Sequence, residues 1–201
     1  MTAVAGGGRS PYVLGIDSAL SKTGVAIIEL TPEGCRAHTA VVASPTRTQS
    51  ITDRHDRIIQ IVSGVRSEVG GRAELALIEA PALDADHGNA WDRAAVWWGI
   101  VSVLLDLHIP VAWVAPSTLK KWATGRGGSK QKPVEKTDVV EAMHALWPGL
   151  ACTRTARRSD ECDALVLGTM AAQHLGWPVP VRSHHGASRD VVKWPTLAPA
   201  P

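Results

Sequence analysis

From Tyr12 onward the chain alternates short apolar runs with longer stretches of helical spacing. Residues 12–16, YVLGI, 24–30, GVAIIEL, and 36–43, RAHTAVVA, are each short and rich in β-forming side chains, and predict three strands. The gap SALSKT between the first two is a tight connection, so the three predict an antiparallel meander. Residues 48–69 change period. Ile51, Ile58, Ile61, Val62 and Val65 fall near one face of a helix, and Gly70-Gly71 stops it. A strand follows at 75–79, LALIE, closed by Pro81. Beyond it the pattern predicts a long helix over 89–107, a strand over 111–114 and a short helix over 117–123. The stretch 124–132, TGRGGSKQK, reads as a flexible loop, and helices are predicted over 134–146 and 159–175. Residues 1–10 are glycine-rich and 183–201 have little periodicity, so both read as flexible ends around one domain spanning 11–182. A meander followed by strand–helix–strand units predicts an α/β domain with a mixed sheet, antiparallel at one side and parallel at the other, flanked by helices.

Length and composition agree with that architecture. A chain of 201 residues suits one domain, and 45% hydrophobic residues allow a sizeable core. No apolar run is long enough to cross a membrane. The opening MTAVAGGGRSP lacks the order of a signal peptide, so a cytoplasmic setting is expected. Cysteines stand only at Cys35, Cys152 and Cys162, with no CxxC pair, which argues against a disulfide framework and a thiolate zinc site. The net charge of +2 hides an uneven distribution. Between Lys120 and Arg158 nine basic residues face three acidic ones, an excess of +6, so the remainder is net negative. A solvated lysine-rich loop would look the same. A basic segment facing an acidic remainder also fits a polyanion held against a carboxylate site.

Four carboxylates are candidates for chemistry. Asp17 and Glu79 each close an apolar strand, and their ends lie side by side if the strands are parallel neighbours. Asp160 and Asp163, in SDECDAL, are spaced to share one face at the start of a helix. Singly, each has an ordinary role: a turn, a solvated strand end, a helix cap, a dipole partner. Jointly they would be costly, since like charges ~4 Å apart repel by about 4 kcal/mol at an effective dielectric near 20. Divalent cations would neutralise them, and oxygen-only ligands select hard ions such as Mg²⁺, with Mn²⁺ able to substitute. Eight tryptophans are unusual. Most are expected in the core, but adjacent Trp97 and Trp98 must point differently, one inward and one toward a partner. The 89–107 helix is apolar on more than one face, which predicts a homodimer joined through it. No metal role is expected for His184 and His185.

Several motifs together carry a resemblance. VLGIDSALSKTGVAII resembles the first strand, turn and second strand of RuvC-family Holliday junction resolvases, in the RNase H-like nuclease superfamily. LIEAP resembles the strand that carries their second acid. WVAPSTLKKWATGRGG looks like the segment running into a basic helix and glycine loop, EKTDVVEAM like the next helix start, and SDECDALVLGTMA like the C-terminal acidic helix. The motifs stand in family order over residues 13–172, in a short version that resembles a phage-type member. The resemblance implies an RNase H-like fold, two Mg²⁺ ions and phosphodiester hydrolysis, with Asp17, Glu79, Asp160 and Asp163 as the catalytic, metal-holding tetrad. Lys120 and Lys136 match basic positions of the family. Lys120, Lys121, Arg126, Lys130, Lys132 and Lys136 are expected to hold phosphates of branched DNA, a four-way junction above all.

Two features depart from the family. Its Phe three residues after the second acid is replaced by Ala82, in a chain without Phe, and its glycine loop is longer here. Alternative readings are a nuclease acting on flaps, forks or three-way junctions, or a non-catalytic branched-DNA binder. GIDSALSKTG also resembles the phosphate loop of the actin and sugar-kinase superfamily, which needs two such domains. The short RNase H-like nucleases of ribosomal RNA precursors lack the basic loop.

Overall fold

Strand-forming runs and helical stripes resolve into one sheet with helices on both faces. The computed structural model describes residues 10–44, 50–81, 90–129, 132–154 and 158–197. Strands β1 (Tyr12–Asp17), β2 (Lys22–Thr31), β3 (Gly34–Ala43), β4 (Leu75–Glu79) and β5 (Val111–Val114) form a five-stranded sheet in the order β3-β2-β1-β4-β5. The first three are antiparallel neighbours, as the short connections require. β4 runs parallel to β1, with Ile16 opposite Ile78, and β5 runs parallel to β4. The mixed α/β sheet read from the sequence is therefore the observed one.

Helices connect and cover these strands. They are α1 (Ile51–Val69), α2 (Ala90–Asp106), α3 (Pro116–Thr124), α4 (Lys136–Leu146), α5 (Ser159–His174) and α6 (His185–Arg189), with a 3-10 turn at Ala151–Arg154. α1 begins with a capping box in which the Ser50 hydroxyl accepts from the Asp53 N–H and the Asp53 carboxylate accepts from the Ser50 N–H. It ends at Gly70, whose φ of 66° closes the helix in the left-handed region. α4 starts two residues later than the spacing predicts, because Glu135 and Asp138 form a capping box there. Among the expectations, residues 1–9, Thr48, Ala82, Asn89, Lys130, Arg157 and 198–201 lie outside the described residues.

The sheet separates two apolar layers. On one face α1 and α2 pack through Ile61, Val65, Val96, Ile100 and Leu104 against Leu14, Ile16 and Ile78. On the other, α3, α4 and α5 pack through Trp122, Met143 and Leu165 against Val13, Ile28 and Leu77. α5 is buried along nearly its whole length because it lies flat on β1 and β2. Two glycines permit that approach. A Cβ at Gly15 would collide with the Ala164 carbonyl and the Gly168 backbone nitrogen, and one at Gly24 would collide with the Asp160 carbonyl.

The C-terminal segment corrects the sequence reading. Residues 183–197 were expected as a flexible tail, yet α6 docks on α3. His185 is buried and stacks on Trp122 with ring centroids 3.8 Å apart, while Trp194 stacks on His174 at 4.0 Å. The His185 Nδ1 accepts from Gln173 Nε2 at 2.9 Å and from the Arg182 N–H at 3.2 Å. Burial and the nearby His184 and Arg182 lower the His185 pKa to about 4, so it stays neutral. The segment is short and mixed in composition, and its burial depends on two aromatic surfaces contributed by distant helices. Periodicity carries no trace of that.

Candidate active site

The parallel pairing of β1 and β4 brings two strand ends together, and each end carries an acid. Asp17 and Glu79 are half-buried and lie within reach of each other's carboxyl groups. Two desolvated carboxyls this close resist ionising together. Burial drives the Asp17 pKa well above its ordinary value, and the charges of Glu79 and Asp160 push the same way, against Lys136. Burial also raises Glu79, with Asp163 adding to the rise while the Asp17 hydrogen bond, Lys120 and Lys136 oppose it.

α5 supplies the other two acids over the same strand ends. Arg158 occupies the N-cap without a side-chain capping bond, so Asp160 does not cap the helix. Its carboxylate instead meets the Lys136 ammonium of α4 at 3.2 Å. Asp163 is pushed up to about 7 by burial first, then by Asp17 and Asp160, with Lys136 and Lys120 opposing. The third acid of this stretch, Glu161, turns away: it pairs with Arg158 at 2.6 Å and accepts from Thr39 Oγ1 at 2.6 Å. The spacing of SDECDAL thus sorts its acids onto two helix faces.

Backbone pins hold the strand ends. Trp97 Nε1 donates to the Glu79 carbonyl at 3.0 Å, and Ser18 Oγ donates to the same carbonyl at 3.4 Å. The fully buried Thr23 hydroxyl donates to the Ala19 carbonyl at 2.9 Å and accepts from the Ala19 N–H at 3.2 Å, which fixes the turn after Asp17. Sequence reasoning missed these roles of Trp97, Ser18 and Thr23, and those of Gly15 and Gly24. The paired glycines inside VLGIDSALSKTG were the available signal, since glycine in a strand marks a close backbone approach.

The basic set divides. Lys120 on α3 and Lys136 on α4 lie in the field of the acids. Lys121 and Lys132 are exposed, and Arg126 is engaged by Asp138 at 2.6 Å. Among the described residues, no three His, Cys, Asp or Glu side chains are gathered into a ready metal cage. The Lys136 ammonium beside Asp160 instead offsets part of the acids' charge. The donor chemistry nevertheless fits a hard divalent cation: oxygen ligands from separate elements, desolvated and mutually repelling.

A strand-edge carboxylate group on a mixed sheet of this order defines an RNase H-like α/β fold. No family model matches the chain, and no curated protein matches it by sequence. Solved structures do. Thermus thermophilus RuvC in complex with a Holliday junction substrate is similar with a TM-score of 0.61 at 18% identity, over 85% of this chain and 99% of that one. The yeast mitochondrial Holliday junction resolvase Ydc2 follows with 0.53 at 11% identity, over 90% of this chain and 83% of that one. The fowlpox virus resolvase, bound to Holliday junction DNA, has 0.51 at 12% identity, over 82% and 98%. What these chains share at such low identity is the fold.

Proposed function

We propose that the protein is a metal-dependent endonuclease that cleaves branched DNA, resolving four-way junctions by paired symmetric nicks. One observation carries the reading: Asp17, Glu79, Asp160 and Asp163, from β1, β4 and α5, lie in one another's electrostatic field and in that of Lys120 and Lys136, on the fold of junction resolvases. Asp17, Glu79, Asp160 and Asp163 would hold Mg²⁺, which supplies an activated water and stabilises the leaving oxygen. The chain's own groups do the rest. Lys120 and Lys136 hold phosphates beside the acids, with Lys121, Arg126 and Lys132 farther along the strand. The raised pKa values of Asp17 and Asp163 would couple cation binding to proton release. Trp97 and Ser18 keep the Glu79 backbone in register with β1.

Two matched nicks in a two-fold junction call for two such sites. The outer face of α2 suits self-association. Trp91, Trp98 and Leu105 recur every seven residues and are 85%, 61% and 56% exposed, while Val96, Ile100, Val101 and Leu104 face the core beneath the helix. A homodimer through α2 is therefore part of the proposal.

The test is cleavage of labelled four-way, three-way, flap and linear DNA side by side in Mg²⁺. Symmetric nicking of the four-way junction is expected. Asp17→Asn should lower the rate by at least about a hundredfold while junction binding survives, because positioning contacts come from other residues. Cleavage of flaps or three-way junctions alone would make the protein a broader structure-selective nuclease. Full cleavage by Asp17→Asn would remove that residue from the site.

A further inference from the structure

Asp17 and Glu79 stand at the sheet edge, where both faces meet. Lys120 and Lys136 reach them from the face covered by α3, α4 and α5. On the opposite face, between α1 and α2, a cleft of about 390 Å³ opens against the same two acids. Its wall includes Asp17, Ser18, Glu79, Arg57, Arg93 and Pro116. Two guanidinium groups thus share one cleft, on the side where the sequence gave no basic run.

Among the described residues, neither arginine is ion-paired. Arg57 is only 9% exposed, and among the described residues no carboxylate lies within ion-pair distance of it or of Arg93. The nearby acid is already taken: Asp92, 4% exposed, binds Arg54 at 2.6 Å. Arg57 is also held in place. Its Nε donates to the Leu20 carbonyl at 2.8 Å and to Ser44 Oγ at 3.2 Å, and Ser44 Oγ donates to the same carbonyl at 2.7 Å. Those bonds occupy Nε, and among the described residues no acceptor meets the terminal nitrogens. An immobilised guanidinium with free donors, beside a second one and with no ion-paired carboxylate among the described residues, costs stability unless an anion completes it.

We infer that this cleft is a phosphate subsite. Arg57 and Arg93 take a phosphodiester of the cleaved strand that adjoins the one placed at Asp17 and Glu79. This rests on the proposed nuclease reading and extends it. The strand would cross the sheet edge, meeting lysines on one side of the acids and arginines on the other. Guanidinium suits the role because its planar fork matches two phosphate oxygens at once.

The experiment uses full-length protein and a four-way junction in EDTA, with binding followed by fluorescence anisotropy across a salt titration. A single uncharged methylphosphonate is walked along the strand through the positions flanking the nick. With wild-type protein, one flanking position should weaken binding by about tenfold. Arg93→Ala should bind the unmodified junction about tenfold more weakly, with a salt slope lower by about one phosphate contact. At that flanking position the methylphosphonate should then add little, since charge and partner are both gone. Arg93→Gln and Arg57→Lys, checked for wild-type melting, should behave alike if the guanidinium itself is needed. Full additivity of the two changes, or wild-type affinity and salt slope in Arg93→Ala, overturns the subsite and leaves the nuclease reading intact. Absence of branched-DNA binding and cleavage by the wild type would instead overturn that reading, and the subsite with it.

Discussion

At the scale of single residues, burial raises the pKa of the candidate acids above the ordinary carboxylate range. Burial lifts Asp17, Glu79 and Asp163, and for Asp163 the value reaches about 7. A carboxyl whose pKa is higher folded than unfolded binds its proton more tightly in the folded state. Its contribution is fully present below the unfolded value, near 4, and is lost as pH rises through the folded value. The cation-free protein should therefore lose melting temperature between about pH 4 and pH 7. Asp163→Asn should flatten part of that decline in EDTA. Mg²⁺ or Mn²⁺ should recover stability above pH 7 and bind more tightly as pH rises, because loading the site displaces protons. Melting curves across pH, with and without Mn²⁺, decide this. A melting temperature insensitive to pH and to the ion would mean that these acids hold no cation.

At the scale of elements, two helices carry consequences. α5 reaches the acids only because Gly15 and Gly24 let its backbone touch β1 and β2. Gly24→Ala would drive a methyl group into the Asp160 carbonyl, so α5 must shift and carry Asp160 and Asp163 with it. The expected cost is about 1–3 kcal/mol of stability, read by denaturant titration, together with a loss of cleavage greater than the stability loss explains. An unchanged midpoint would show that α5 rides looser than the packing indicates. α2 is the second case. Sedimentation at micromolar concentration should give a dimer, and Trp98→Glu should give a monomer that melts at nearly the wild-type temperature, since Trp98 is 61% exposed. A wild-type monomer, free and on junction DNA, would favour a nickase over a symmetric resolvase.

At the scale of the whole molecule, charge and topology converge on one edge of the sheet. The chain is nearly neutral, yet its acids gather at the ends of β1 and β4 while cations arrive from α3 and α4. Lys120→Ala and Lys136→Ala should each weaken junction binding and lower the salt slope by roughly one contact. Lys136 is the more informative, because it spans phosphate and acid: its removal also leaves Asp160 without its ion pair. Unchanged binding across a salt titration would return this stretch to solvated surface. Among the described residues, no helix is long and apolar enough to cross a membrane.

The linear sequence by itself determined the five strands and helices α1 to α5, though not α6, and it singled out all four carboxylates. Alternation, helical spacing and glycine stops are local, and a strand's last residue is visible in a run such as LALIE. It also separated Asp160 and Asp163 from Glu161 only in principle, since an i,i+3 spacing names a shared face but not what that face meets. Tertiary structure decided the rest. Adjacency of Asp17 and Glu79 depends on β4 pairing with β1 across almost sixty intervening residues. The rise in their pKa depends on burial. The docking of residues 183–197 depends on Trp122 and His174 presenting ring faces from separate helices. The cleft of Arg57 and Arg93 depends on α1 and α2 meeting over the same strand ends, and no run of basic residues announces it. Each is a contact between segments distant in sequence, and such contacts leave no period, composition or spacing for a linear reading to find.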